Sequence, residues 1–410
     1  MRNRRIQHGR AALYAAAFLM DLGTYSGYVA LFWFVQDRMA AGLTTQGLLA
    51  LLLLTAYLVL CPVFGRVARR RRWRLAFVVA GPLTIAGGYV LVSASTAVWH
   101  LAALTAALAT GRALFWPALQ AEIGGLASGR VLGRRVGVFN ITWSVGVALA
   151  PALAGWAYAV NPVLPFRIAT GAGLLIVALL AVYARFGRAE ESALDPERAG
   201  PSDGNGASRG PAAPVAAAAA VTFVWLAWIA NFVGYANLDV AHTLFQQLGR
   251  AEHLADPLTG RLIAVLGTAR TATFVVLFLS HGWVHRRWVL FMGPAAMLAG
   301  GGLLSLPLGG AAGSAALPAG MALVGIGAGV AYATSLFYSV EASRHHRVTT
   351  GHHEGIRAAG GVAGLLLAGQ VAPWLTQVHP RSPFYACAAL TAVCLLAQIV
   401  IASRSPSGRG

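Results

Sequence analysis

Lysine is absent from this sequence, so all 31 basic residues among its 410 are arginine. A Gly-x-x-x-x-Gly-Lys phosphate loop is thereby excluded, and ATP-driven pumping by this chain alone is not expected. Charge is scarce, at 11% of residues against about 25% in soluble proteins. Apolar side chains make up 57% and mean hydropathy is +0.65, which rules out a set of water-facing domains. The formal charge of +18 would point to nucleic acid in a soluble chain. Here the arginines cluster between long apolar runs, and no nucleic-acid partner is expected. Cys61, Cys387 and Cys394 lie inside those runs without metal-ligand or redox spacing, leaving zinc ribbons and disulfide frameworks unsupported. No nucleophile with a base and no paired catalytic carboxylates emerge, so neither an enzyme nor a cofactor is expected.

What the sequence has is apolar stretches. About 20 apolar residues are needed to cross a bilayer, because backbone polar groups cannot be left unpaired in hydrocarbon. Twelve such stretches begin near Ala12, Thr45, Leu75, Val98, Val136 and Leu164, then near Ala216, Leu258, Val289, Gly313, Gly355 and Pro383. The first carries Asp21 and is too long for a cleaved signal peptide. Arginine-rich segments at the amino terminus, Arg66–Arg74, Arg130–Arg135, Arg286–Arg287 and Arg344–Arg347 alternate with arginine-poor loops. The positive-inside rule then puts both termini in the cytoplasm. An integral membrane protein is expected, of the inner membrane in a bacterial cell. Trp73, Trp99, Trp156, Trp283, Trp288 and Trp374 fall at span ends, as an interfacial aromatic belt requires. Residues 188–215 are rich in Pro, Gly, Ser and acids and read as a flexible cytoplasmic linker. It separates six spans (residues 1–187) from six (residues 216–410).

The halves resemble each other. An offset of 210 lays the seventh span on the first, pairing Asp21 with Asn231 and Tyr25 with Tyr235. An offset of 217 lays GWVHRR on GRVARR, and one of 214 lays GGVAGLLLAG on GVALAPALAG. Three matches in one order indicate a duplicated six-helix unit. At this point the chain resembles the major facilitator superfamily over essentially its whole length. The family motif after the second helix is echoed from Gly65 through Arg69 and Arg70 to Arg74, with Arg69 at the acidic position and Arg72 at the internal glycine. The exporter-associated fifth-helix motif is echoed by Gly146, Pro151 and Gly155. Ala150 and Ala154 replace two of its glycines, and small residues still permit close helix approach. The resemblance implies an all-α membrane fold of two pseudo-symmetric six-helix bundles around a central cavity. Arg69 leaves the family's inter-half lock without its acid. Glu354, at the start of the eleventh span, then either pairs with Arg69 in reversed polarity or merely favours a helix N-terminus.

Ionisable groups inside the membrane are costly and mark function by default. Asp21 and Arg112 lie at matching depths, about 14 and 15 Å from the cytoplasmic ends of their spans at 1.5 Å per residue. They form either a proton-coupling pair, with Arg112 as switching partner, or a permanent structural bridge. Arg270 has no acid at matching depth. It contacts an anionic substrate group, caps backbone carbonyls or faces a water-filled crevice. Asp239 and Arg261 read as solvated loop-end charges, and Glu122 and Glu341 as structural partners of the basic loops. Tyr25, Tyr28, Trp116, Asn140, Trp143, Trp228, Asn231, Tyr235 and Tyr332 are an inventory for a small-molecule pocket. His345, His346, His352 and His353 read as solvated loop residues in preference to a transition-metal site, so no metal is expected.

The expectation is a monomeric secondary transporter working by alternating access, with the lipid bilayer, a small-molecule substrate and a coupling proton as partners. Efflux of a small amphipathic compound is favoured from the fifth-helix pattern. Uptake or exchange of a small anionic metabolite is one alternative. A transporter-like receptor or assembly factor that moves no solute is the other.

Overall fold

The computed structural model describes residues 2–40, 43–125, 129–186, 214–251, 256–306, 310–343, 350–369 and 381–404. Among them the chain forms twelve α-helices and no strand. The first six are α1 (Arg2–Met39), α2 (Leu43–Ala68), α3 (Arg71–Ser93), α4 (Val98–Gly124), α5 (Gly129–Val160) and α6 (Leu164–Phe186). The second six are α7 (Pro214–Ala251), α8 (Asp256–Leu279), α9 (Arg287–Ser305), α10 (Gly310–Ala342), α11 (Thr350–Leu367) and α12 (Ser382–Arg404). A 3₁₀ turn, His281–Trp283, joins α8 to α9. The expected linker lies outside the described residues as far as position 213, and Pro214 opens α7 at a position where a missing N–H costs nothing.

Eleven of the twelve helices are long and apolar enough to cross a membrane. The exception is α11, whose first turns read TGHHEGIRAA. Large apolar side chains such as Val59, Val90, Leu91, Leu174, Val276 and Leu396 point outward, where lipid takes the place of a protein core.

The packing repeats with a shift of six helices. The first helix of each set of six lies on that set's fifth and sixth: α1 on α5 and α6, α7 on α11 and α12. Likewise α2 lies on α4 and α8 on α10, while α3 contacts α4 and α6 and α9 contacts α10 and α12. The two bundles meet where α2 packs on α11 and α5 on α8. Adding six to each helix number exchanges these two seams, as a two-fold relation between the bundles requires.

The seams are tightest near the arginine-rich loops. Gly351 of α11 lies so close to the Cys61 carbonyl of α2 that any side chain there would overlap it. Gly355 abuts Pro62, and Gly124 faces Val340. Thr350 Oγ1 donates to the Pro117 carbonyl of α4 at 2.8 Å. These contacts close the bundle interface on its arginine-rich side.

Two surface expectations need correction or restriction. Trp73, Trp99, Trp156 and Trp288 are exposed as a belt requires, but Trp283 is buried. Its Nε1 donates to the Leu277 carbonyl at 2.9 Å and its ring packs on Phe337, because the 3₁₀ turn folds it inward. Trp374 lies outside the described residues.

Candidate functional site

The centre of the interface is polar, and Glu354 is its hub. This carboxylate is 2% exposed and accepts hydrogen bonds from four helices' worth of donors. Tyr57 Oη of α2 reaches Oε2 at 2.8 Å, and Gln120 Nε2 of α4 reaches Oε1 at 2.5 Å. Tyr332 Oη of α10 lies 3.3 Å from Oε1, and Arg357 Nε, one turn along α11, 2.8 Å from Oε2. A buried carboxylate is tolerable when its lone pairs are taken up in this way. The Arg69 pairing considered above is therefore not made: Arg69 is exposed, while Glu354 faces into the interface. Nor is Glu354 a solvated acid at a helix start.

Two cations from opposite bundles share one ring. Arg357 lies over Tyr57 at 5.0 Å and over Tyr235 at 4.7 Å; Arg112 lies over Tyr57 at 5.6 Å. Asp21 is 4% exposed. Among the described residues no ion pair joins Asp21 to Arg112, whereas Arg74–Glu122, His353–Glu354 and Arg357–Glu354 pairs are made. In this conformation the two do not bridge.

Arg270 of α8 is 3% exposed and lies over the Trp143 ring of α5 at 5.0 Å. Its Nε and Nη2 are buried without a hydrogen-bond partner. Around it Trp143 meets Phe274 at 5.5 Å and Tyr332 at 4.9 Å. Its Nε1 donates to Asn140 Oδ1 at 3.2 Å. Tyr235 joins this layer through Tyr332. Tyr25 packs edge-on against both Tyr28 and His242, so it touches α7 as well as its own helix.

Three further residues of the expected pocket have partners within the protein. Trp116 packs between Phe115 and Phe139. Trp228 Nε1 donates to Ser339 Oγ at 2.9 Å. Asn231 Nδ2 donates to the His353 carbonyl at 3.3 Å. The motif residues divide between packed and exposed positions. Gly65 lies under Gly351. Arg70 is exposed like Arg69, and Arg74 ties the α2–α3 turn to α4 through the Ala68 and Ala121 carbonyls and Glu122. A side chain on Gly146 would meet the Phe18 carbonyl at 2.6 Å, so α5 crosses α1 one turn from Asp21. Gly155 faces Trp33 further along the same seam, whereas Pro151 is exposed.

Arg357, Tyr57, Gln120 and His242 carry no mark in the sequence, and His353, expected as a solvated loop residue, is instead part of this cluster. Asp239 does not end a loop: it lies within α7 with its carboxylate against Gly361 of α11; Arg261 is exposed. His353 is fully buried on α11, while His345 and His346 lie outside the described residues. Glu341 and His285, 3.6 Å apart, pair at the arginine-rich end. No cluster of His, Cys, Asp and Glu suited to a metal occurs among the described residues.

No curated protein sequence matches the chain. Among solved structures it is similar to the human organic anion transporter MFSD10 (TETRAN), at 14% identity and a TM-score of 0.64. That match covers 96% of this chain and 99% of the other, and shows a shared fold. A sequence profile described as Major Facilitator Superfamily matches residues 13–352. With that match over most of its length and twelve helices paired as two related bundles, this membrane transporter belongs to the Major Facilitator Superfamily.

Proposed function

We propose that the protein is a secondary active transporter working by alternating access, and that its solute is a small amphipathic molecule bearing an anionic group. The observation that carries this is Arg270. Two of its nitrogens are buried without a partner, and leaving a buried donor unpaired costs about 1–3 kcal/mol, more for a charged group. A carboxylate, sulfonate or phosphate would take up both nitrogens. The aromatic layer of Trp143, Phe274 and Tyr332 beside it would hold an apolar body. The organic anion transporter of similar fold is consistent with this chemistry.

Asp21 is the coupling carboxylate in this reading, and Arg112 its switching partner. A permanent bridge would keep Asp21 ionised. The unbridged geometry leaves it free to take a proton in one state and to pair with Arg112 in the other. Outward movement is the direction favoured, from the Gly146–Gly155 pattern on α5.

Flux of a panel of aromatic and aliphatic organic anions into proteoliposomes, with and without an imposed pH gradient, tests the whole reading. Arg270→Ala is expected to lower anion flux by at least about tenfold, the loss of one charge-assisted hydrogen bond. Asp21→Asn is expected to leave counterflow intact while abolishing the effect of the gradient. Anion flux unchanged in Arg270→Ala would remove the anionic solute. Gradient-driven flux unchanged in Asp21→Asn would remove the coupling role.

A further inference from the structure

His353 sits beside the hub of the interface and uses one side of its ring. Nδ1 lies 2.8 Å from Ser335 Oγ and 3.5 Å from Asn231 Nδ2. The Asn231 amide also donates to the His353 carbonyl, which fixes its nitrogen on this side. We assign Nδ1 as the acceptor and the ring proton to Nε2, because a bare Nε2 lone pair would otherwise face the Glu354 carboxylate. That Nε2 is fully buried, has no hydrogen-bond partner and lies 3.7 Å from Glu354 Oε1. It lies near an oxygen already taken up by two donors. Tyr332 belongs to the same bundle, and Gln120 to the opposite one.

We propose that His353 is the exchange partner of Glu354 when the bundles separate on the arginine-rich side. In the closed state Glu354 takes Gln120 and Tyr57 from the first bundle. Both must leave when α2 and α4 swing away from α10 and α11. Arg357 and Tyr332 move with Glu354 and remain. Oε1, vacated by Gln120, then accepts from His353 Nε2, which needs a shift of less than about 1 Å to reach ordinary hydrogen-bond distance. A buried carboxylate that merely lost two donors would resist opening. One that trades a donor across the interface for a donor on its own bundle does not, so the interface can be both tight and reversible. His353 is a positioning residue in this scheme and touches no solute.

The inference rests on alternating access, and a native thiol reads it without a substrate. Cys61 is fully buried and its carbonyl lies against Gly351 on the seam between α2 and α11, so alkylation of its thiol is expected to require the arginine-rich side to open. With Cys387→Ala and Cys394→Ala as background, the rate of Cys61 labelling by a bilayer-impermeant maleimide is measured in membranes, with unfolding temperature followed in parallel. His353→Asn keeps a polar group at the Nδ1 position but removes the Nε2 donor. It is expected to slow labelling about tenfold, the equilibrium worth of one charged hydrogen bond. His353→Gln places an amide donor near Nε2 and is expected to label within about twofold of the parent, on the same reasoning. Tyr57→Phe and Gln120→Leu weaken the closed state and are expected to speed labelling. Equal rates for the Gln and Asn variants would remove the exchange and leave alternating access standing. A Cys61 that stays unreactive in every variant, Tyr57→Phe included, would remove the opening movement itself.

Discussion

The two seams between the bundles are related by the fold but not by chemistry. The offset of 217 lays Tyr57 of α2 on Phe274 of α8, and that of 214 lays Asn140 and Trp143 of α5 on Glu354 and Arg357 of α11. The geometry repeats: Arg357 lies over Tyr57 at 5.0 Å, and Trp143 packs against Phe274 at 5.5 Å. On the α2–α11 side these positions make a charged, hydrogen-bonded network. On the α5–α8 side they make an aromatic wall, with Arg270 set on it. Duplication supplies two equivalent frames, and divergence at a handful of positions gives the interface one face for charge and one for apolar bulk. That asymmetry is what the proposed amphipathic solute would exploit.

The largest expected difference between the faces is in stability. Removing the carboxylate with Glu354→Ala leaves Arg357 buried against two rings without its acid, and breaking a buried pair costs about 3–5 kcal/mol. The equivalent change on the other face, Asn140→Ala, loses one hydrogen bond to Trp143, worth about 0.5–1.5 kcal/mol. Thermal unfolding in detergent should therefore place Glu354→Ala well below Asn140→Ala. Equal losses would mean the faces are energetically alike. A medium effect is expected in solute recognition. Trp143→Leu removes the ring under Arg270, and a cation–π contact of about 0.5–2 kcal/mol should appear as a rise of several-fold in KM for an anionic solute with kcat little changed.

The smallest effect lies outside the membrane. His285, between α8 and α9, has its pKa raised by its hydrogen bond to Glu341, against a smaller opposing effect of burial. The folded state therefore holds this proton more tightly than the unfolded chain. The pair's contribution is complete below about 6.5, the ordinary histidine value, and fades as pH climbs through the higher folded one. The side chain is 57% exposed, so water screens the pair. Unfolding temperature should fall slightly more between pH 6 and 8 in the parent than in His285→Ala. The same dependence in both would assign the effect elsewhere.

The fold was legible because its signals are long. Apolar runs of bilayer length and alternating arginine loops survive any uncertainty at individual residues, and the shift of six helices appears already in the sequence offsets. The site was legible where one residue type is anomalous in its setting: Asp21, Arg112 and Arg270 stand out because charge in an apolar run is costly. Tyr57 and Gln120 carry no such mark, and become partners of Glu354 only because α2 and α4 meet α11 in space. Arg357 and His353 were hidden for the opposite reason. The start of α11 is so polar that it reads as the end of a loop, and the charges within it lost their anomaly. Asp239 was misplaced because α7 runs further than its apolar window suggests.

The polarity of α11 also bears on how the protein is made. Charged residues cost about 2.5–3.5 kcal/mol each at the centre of a lone helix entering the bilayer, and α11 carries Glu354 and Arg357 together with two histidines in 18 residues. The described part of α11 falls short of the length and apolarity that its neighbours have. Its neighbours α10 and α12 are both apolar enough to cross, and the expected order of events is that they carry it in between them. Nascent chains truncated after α11 should leave it outside the hydrocarbon, so the helix on which the interface turns is among the last to reach its place.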